Sequence, residues 1–251
     1  MLGKTAIRNI VASQLGHRGY ELKEKAAPPR GFRAFLEVYN RRMRSPRTVF
    51  DIGVGRGTRW LYDAFPQADL VLVEPLARFE PHIHKIVQSR RAVWHRCALG
   101  DVPGVARMQV PRGVPTGASM LPRFRNGRLV TPELRPEVLE EVTAPVRLLD
   151  EISQGAEPPF VIKIDVEGLE VKVLGGALQA LRLTDLVIVE ASIGPRYAGE
   201  CDLIDIGGVL KAQGFKLVEI VEMATLGPDK LLNYVDAAFV PADSGFWRET
   251  D

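Results

Sequence analysis

Cysteine is scarce in this sequence of 251 residues, which holds two of them, Cys97 and Cys201. They form neither a disulfide framework nor the spacing of a cysteine-ligated metal site. Two free thiols are typical of a reducing compartment, so we expect a cytoplasmic protein. Apolar runs are short as well, and none approaches the roughly 18 residues of a membrane-spanning helix. The sequence therefore predicts a soluble protein without a transmembrane segment.

An excess of charge of either sign is also missing. Lys and Arg number 33 against 31 Asp and Glu, which gives a formal net charge of +2. This balance gives no reason to expect a nucleic-acid partner. The hydrophobic share of 46% is enough for one large α/β domain with a proper core. A homodimer is left open at this point.

The first 30 residues differ in character from the rest of the chain. They are basic, and their apolar positions have rough helical spacing at Ala6, Ile7, Ile10, Val11 and Leu15. We expect an N-terminal helical extension over residues 1–30, followed by the main domain over 31–251. The extension is interpreted as a packing helix or lid. Peripheral contact with a membrane surface through residues 1–20 is the alternative.

Apolar strands and amphipathic helices alternate through the main domain, which is typical of a doubly wound, mostly parallel α/β sheet. Helices are predicted at 31–43, 75–88, 167–181 and 203–213. Seven strands are predicted, at 48–52, 69–74, 92–99, 161–165, 186–190, 215–221 and 231–240. The last two strands are close in sequence, so we expect them to form an antiparallel hairpin at one edge.

One region interrupts this alternation. Residues 102–147 are rich in proline and arginine, and we interpret them as a long insertion between the third and fourth strands. Long ordered insertions are often functional. Arg123 and Arg125 could hold an anionic acceptor. A solvated basic loop is the alternative for both.

The strongest local signal is a glycine turn between the first strand and the next helix. Asp51 ends the strand region, and Gly53, Gly55 and Gly57 follow at alternate positions. Glycine has no Cβ, so such a turn lets backbone N–H groups approach a ligand closely. The helix N-terminus behind it adds a positive dipole. The pattern indicates a nucleotide-type ligand.

The spacing of the acids indicates which nucleotide. A dinucleotide fingerprint requires G-x-G-x-x-G, and the third glycine here stands at a different spacing. Glu74 ends the second strand at the same sheet edge, where its carboxylate can accept hydrogen bonds from ribose hydroxyls. Asp51 can sit near a positive ligand end. Together they favour S-adenosylmethionine, with an NAD(P)-dependent oxidoreductase as the alternative and a non-catalytic cofactor-binding module as a third reading.

Four stretches of the sequence resemble the FkbM-type S-adenosylmethionine-dependent methyltransferases: 49–57, 73–75, 98–101 and 163–177. The run Lys-Ile-Asp-Val-Glu-Gly-Leu-Glu, which begins at Lys163, matches the hallmark of that family. Residues around Ser119 are similar to its serine-containing loop. Two positions depart from the family pattern, because Val54-Gly55-Arg56-Gly57 replaces Ala-Asn-x-Gly and Val73 replaces a phenylalanine.

The resemblance implies a seven-stranded, Rossmann-like class I methyltransferase fold. It also implies O-methylation of a small-molecule or glycan acceptor, namely a hydroxyl of a sugar, glycan or secondary metabolite. Substrate contacts are expected at Ser119, Arg123, Arg125 and Glu190. The cofactor-binding residues expected on this basis are Asp51, Gly53, Gly55, Gly57, Glu74, Pro75, Ala98 and Asp165.

The reaction itself requires that a proton leave the acceptor hydroxyl. Asp165 and Glu190 end the fourth and fifth strands, and Glu167 follows Asp165 closely, so these three are the candidate catalytic residues. A carboxylate of ordinary pKa is a poor base for an alcohol unless burial raises it. Either one acid acts as a late proton acceptor, or the three hold Mg²⁺, which would acidify the hydroxyl. The sequence slightly favours the metal-free role, because it contains no compact ligand motif.

Overall fold

The computed structural model describes residues 31–112, 118–125, 128–130, 139–226 and 228–248. The predicted helical extension at 1–30, with its membrane contact through 1–20, lies outside these residues and stays a prediction. Among the described residues, no helix has the length and apolar character needed to cross a membrane.

A seven-stranded sheet forms the centre of the molecule. Its strands are β1 Thr48–Ile52, β2 Asp69–Val73, β3 Ala92–His95, β9 Phe160–Ile164, β10 Thr184–Ser192, β11 Phe215–Leu226 and β12 Leu231–Pro241. Their spatial order is β11-β12-β10-β9-β1-β2-β3. Neighbouring strands are parallel, except that β12 runs antiparallel to both β10 and β11. This confirms the predicted α/β class, the seven strands and the C-terminal hairpin.

Helices cover both faces of the sheet, so its inner strands are buried throughout. Successive strand residues point to opposite faces. Phe50 and Ile52 therefore join one core, and Val49 joins the other. Within the described residues the α-helices are α1 Gly31–Arg42, α2 Arg59–Ala64, α3 Glu80–Ser89, α4 Leu149–Ile152, α5 Glu170–Gly175, α6 Leu178–Leu181 and α7 Leu203–Ala212.

The predicted third strand at 92–99 is wrong in its extent. The strand β3 ends at His95, where the Cys97 N–H donates to the His95 carbonyl at 3.0 Å and turns the chain. A separate strand, β4 Ala98–Leu99, then leaves the main sheet and pairs with β8 Leu139–Arg147. A local backbone turn, which the apolar pattern does not reveal, separates the two.

The predicted helix at 167–181 is likewise divided, into α5 and α6. Glu167 and Gly168 have left-handed backbone angles, with φ of 60° and 103°, so the helix begins only after them. A Cβ on Gly176 would lie 2.1 Å from the carbonyl oxygen of Gly100. The chain passes so close to the 98–101 segment there that a continuous helix is interrupted.

The insertion forms structure of its own. A strand β5, Gly104–Pro111, pairs antiparallel with β8, which also pairs with β4, giving a three-stranded sheet. Two short strands, β6 Arg123–Arg125 and β7 Arg128–Val130, form a separate hairpin. Ser119 bridges to Gln109 of β5, so the insertion extends over the carboxyl edge of the main sheet.

Candidate active site

A cavity of about 340 Å³ opens at the carboxyl ends of β1, β2, β9 and β10. Its size and its position at this sheet edge suit a small-molecule site. Seven of the eight predicted cofactor residues line it: Gly53, Gly55, Gly57, Glu74, Pro75, Ala98 and Asp165. The three candidate catalytic acids line it too: Asp165, Glu167 and Glu190.

The glycine turn and Glu74 form one unit on the β1–β2 side of the cavity. The Gly55 N–H donates to Oε2 of Glu74 at 2.9 Å, and the Leu76 N–H donates to Oε1 at 2.9 Å. Burial raises the pKa of Glu74, and these backbone hydrogen bonds partly oppose it. The carboxylate is thereby fixed at the cavity wall with lone pairs left over for a ligand.

Left-handed backbone angles explain the glycines of the turn. Gly53, Gly55 and Gly57 have φ of 79°, 53° and 103°, a region that residues with a Cβ rarely adopt. A Cβ on Gly55 would meet no protein atom within 4 Å, so this residue faces open space. A ligand can therefore reach the backbone of the turn directly.

Asp51 lies one layer behind the turn and does not line the cavity. Its carboxylate accepts a hydrogen bond from the Tyr62 hydroxyl, and it lies 3.6 Å from Nζ of Lys163. Nζ of Lys163 also donates to the Gly53 carbonyl and to Oδ2 of Asp165, both at 3.1 Å. Asp51 therefore acts on the cavity indirectly, because it pairs with Lys163, which lines the cavity.

Lys163 is the buried cation that joins the two motifs of the site. Burial lowers its pKa, but Asp165 and Asp51 raise it by more, so the pKa lies above its usual value and the side chain stays charged. Lys163 belongs to the hallmark run, although no role in the site was predicted for it from the sequence.

The three candidate catalytic acids, Asp165, Glu167 and Glu190, converge at the ends of β9 and β10 and are called the acid trio below. One carboxylate oxygen from each lies within 4.8 Å of the others. Glu167 adopts its left-handed angle because its surroundings hold it there. The hydroxyl of Ser119 donates to the Glu167 carbonyl at 2.6 Å, and the Gly168 N–H donates to Oε1 of Glu170 at 3.1 Å.

The four predicted substrate residues do not all lie at the cavity. Ser119 is buried beneath the cavity wall and supports Glu167, whereas Glu190 faces the cavity. The backbones of Arg123 and Arg125 form β6, and their side chains lie outside what the structure describes. Their contact with an acceptor stays a prediction.

Arg196 is the first functional residue that sequence reasoning missed. Its Nη2 lies 2.6 Å from Oε2 of Glu167, and its Nη1 lies 2.6 Å from Oε1 of Glu190. The Tyr197 hydroxyl donates to the same Glu167 oxygen at 2.5 Å, and the guanidinium lies over the Tyr234 ring at 4.7 Å. No recognisable motif surrounds Arg196, so the sequence offered no signal for it.

Three further missed residues come from the C-terminal hairpin: Glu222, Tyr234 and Asp236 line the cavity together with Glu190. Asp236 pairs in register with Glu190 on one side and with Glu222 on the other. Directly opposed residues share a sheet face, so the carboxylates lie in one row. The available signal was an acid, Asp236, in a strand whose other residues are mostly apolar.

Glu190 and Asp236 have raised pKa values, because both are shielded from water and lie near other carboxylates. Burial, followed by Asp165 and Glu167, raises the pKa of Glu190 to about 8, although Arg196 opposes the shift. Burial and then Asp165 raise the pKa of Asp236 to about 7. Both groups therefore exchange protons near neutral pH, which an isolated carboxylate does not do.

The acid trio does not present a vacant metal site. Its spacing would suit an ion held by oxygen ligands. However, the Arg196 guanidinium already bridges Glu167 and Glu190, and Lys163 bonds Asp165. An ion would have to displace a hydrogen-bonded guanidinium, so the residues present do not fit Mg²⁺.

Similar solved structures are methyltransferases of several kinds. One is magnesium protoporphyrin IX methyltransferase from Synechocystis PCC 6803 with bound S-adenosylmethionine, at 10% identity and a TM-score of 0.44, covering 96% of this chain and 98% of that one. Another is an O-methyltransferase from Bacillus cereus in complex with S-adenosylhomocysteine, at 15% identity and a TM-score of 0.43, covering 96% and 92%. No curated protein sequence matches the chain significantly.

A protein-family model matches most of the chain. The model described as the methyltransferase FkbM domain matches residues 51–217, which include the glycine turn, Glu74 and the acid trio. This span is more than half of the chain, and it agrees with the resemblance seen in the sequence. The chain belongs to the FkbM family of S-adenosylmethionine-dependent methyltransferases.

Proposed function

We propose that the protein is an O-methyltransferase that acts on a hydroxyl of a sugar, glycan or secondary metabolite. One observation carries this proposal: a single cavity joins the glycine turn and Glu74 to Glu190, a largely shielded carboxylate whose pKa is raised to about 8. The first pair suits the methyl donor, and a carboxylate of raised pKa is a stronger proton acceptor than an ordinary one once it is ionised.

The donor would be held by the β1–β2 side of the cavity. Glu74 keeps lone pairs for the ribose hydroxyls, and the open backbone at Gly55 allows close approach. Pro75 and Ala98 line the same wall, where they would lie beside the adenine of the donor. When bound, S-adenosylmethionine supplies an electrophilic methyl group.

Asp51 and Lys163 act on the donor indirectly in this proposal. Lys163 bonds the Gly53 carbonyl and Asp165, and Asp51 lies 3.6 Å behind it. This buried chain of charges fixes the turn relative to the end of β9. Asp51 therefore shapes the donor site without touching the donor.

Glu190 would accept the proton of the acceptor hydroxyl, while Asp165 and Glu167 orient the acceptor. An alcohol loses its proton late in such a displacement, and a base of raised pKa is better matched to this task. Alignment of the oxygen with the methyl group is the other requirement, and rigid placement of the acids supplies it. The step uses no metal, since the Arg196 guanidinium bridges Glu167 and Glu190 and the Lys163 ammonium pairs with Asp165.

The proposal is tested first by binding and then by turnover. Calorimetry should show micromolar binding of S-adenosylhomocysteine and none of NAD(P), which would exclude the oxidoreductase reading. Sugar, glycolipid and secondary-metabolite acceptors are then screened by the release of S-adenosylhomocysteine. Methylation of nitrogen or carbon, with no product on any hydroxyl, would refute the O-methyl assignment.

A further inference from the structure

Arg196 and the two acids that it bridges form a closed group of charges. The side chains of Arg196, Glu167 and Glu190 are 14%, 13% and 13% exposed, so water screens their contacts poorly. Each guanidinium contact is 2.6 Å long, which is short for a charge-assisted hydrogen bond. Without this cation, three carboxylates would face one another with oxygens within 4.8 Å.

The backbone around Arg196 is anchored independently of these charges. Its N–H donates to Oε1 of Glu200 at 2.5 Å, and Oε2 of Glu200 accepts from Ser192 at 2.6 Å. The Arg196 carbonyl accepts a hydrogen bond from the Phe124 N–H at 2.8 Å. The guanidinium is therefore presented from a fixed loop between the main sheet and the insertion.

Tyr234 adds an aromatic surface beneath the same guanidinium, with the ring centroid 4.7 Å away. A cation over an aromatic face is attracted to it, most of all where water is excluded. The guanidinium is thus contacted by two carboxylates at its edge and by a ring on its face.

We propose that Arg196 is a positioning residue that acts as the built-in cation of the acceptor site. Its guanidinium lies between Glu167 and Glu190 and holds both side chains in position. A divalent metal ion would otherwise be needed for this task. The role of Glu190 in this statement rests on the proposed function, whereas the occupation of the metal position by Arg196 does not. Removal of the guanidinium should therefore create a cation site from Asp165, Glu167 and Glu190.

The central experiment compares Arg196→Gln with the wild type in a titration with Mn²⁺ alone, followed by electron paramagnetic resonance. It needs neither methyl donor nor acceptor. We expect the variant to bind Mn²⁺ at least about tenfold more tightly than the wild type, because Glu167 and Glu190 lose the cation that bridges them. Arg182→Gln, on an exposed helix end, is the matched control and should behave as the wild type.

Two further variants test whether the gained Mn²⁺ affinity comes from the acid trio. Arg196→Gln combined with Glu190→Gln should lose the gained Mn²⁺ affinity, since one ligand of the new site is gone. Arg196→Lys retains one charge but cannot bridge both acids, so its Mn²⁺ affinity should lie between those of the wild type and Arg196→Gln. Folding of each variant is checked by its thermal shift with S-adenosylhomocysteine.

Turnover gives the positioning readout. With an accepted substrate, Arg196→Gln should lower kcat about 100-fold with little change in the Kd of S-adenosylhomocysteine, and free guanidinium ion should restore part of kcat in Arg196→Ala. Wild-type activity should survive EDTA.

Three results would overturn the inference: wild-type activity that requires a divalent metal, no gain of Mn²⁺ affinity in a folded Arg196→Gln, or full kcat in that variant. Failure of the proposed function has a different signature, namely wild-type protein without methyl transfer to any hydroxyl. The Mn²⁺ titration would still decide the role of Arg196 in that case.

Discussion

Gly53 and Asp165 lie in backbone contact, although they belong to motifs far apart in the sequence. A Cβ on Gly53 would lie 1.8 Å from the carbonyl oxygen of Asp165, closer than any real contact. The Asp165 N–H also donates to the Ile52 carbonyl at 3.0 Å. The glycine turn and the start of the acid trio are therefore built as one unit.

This contact predicts different outcomes for two neighbouring glycines. Gly53→Ala must push the turn away from β9, so we expect loss of S-adenosylhomocysteine binding and a clear drop in thermal stability. Gly55→Ala faces open space and bears only the cost of its left-handed backbone, about 1 kcal/mol. It should fold and bind the ligand more weakly. Calorimetry and thermal unfolding check both, and equal behaviour of the two variants would contradict the prediction.

Glu74→Gln tests the donor half of the cavity. The amide can keep one backbone hydrogen bond but loses the charge and one acceptor oxygen. We expect about a 10- to 100-fold loss of affinity for S-adenosylhomocysteine, as for a charged hydrogen-bond partner. Asp63→Asn, an exposed acid of α2, serves as the control and should not change the affinity. Unchanged binding in Glu74→Gln would remove Glu74 from the ligand site.

Glu190→Gln tests the proton acceptor. It should retain binding of S-adenosylhomocysteine and lose about 100- to 10,000-fold in kcat. The raised pKa of Glu190, about 8, means that the wild-type side chain is mostly protonated below that pH and cannot accept a proton. Wild-type kcat should therefore rise with pH and level off above about 8. A variant that keeps both the rate and this rise would show that another group is the base.

Glu170→Gln gives a prediction about stability. Burial raises the pKa of Glu170 to about 7, while an unfolded glutamate has its ordinary value of 4.5. The folded state therefore binds the proton more tightly, and this contribution is full below pH 4.5 and lost as the pH rises through about 7. Its size is at most about 3 kcal/mol.

The amide introduced by Glu170→Gln cannot ionise, yet its oxygen can still accept from the N–H groups of Val166 and Gly168 as the carboxylate does. We therefore expect the variant to unfold at a higher temperature than the wild type at pH 8 and at a similar one at pH 5. Thermal unfolding monitored by circular dichroism at the two pH values makes the comparison. Equal stabilisation at both values would mean that ionisation of Glu170 is not the cause.

The local pattern of the chain predicted the main sheet well. Strand segments such as 186–189 are buried on both faces, so they form continuous apolar runs in the sequence. The pattern failed where the backbone changes direction without a change in polarity. The turn between His95 and Cys97 and the close approach of Gly176 to Gly100 are tertiary events, and hydrophobic spacing carries no record of them.

The sequence by itself determined the α/β class, the glycine turn, Glu74 and the hallmark acids, because each depends on residues adjacent in the chain. Only the tertiary structure decided how these groups act. It placed Asp51 behind Lys163 and buried Ser119 beneath Glu167. It also brought Arg196 between Glu167 and Glu190, and Asp236 beside Glu190. Such charges meet across strands that are distant in sequence, and their pKa values depend on burial, which no local motif specifies.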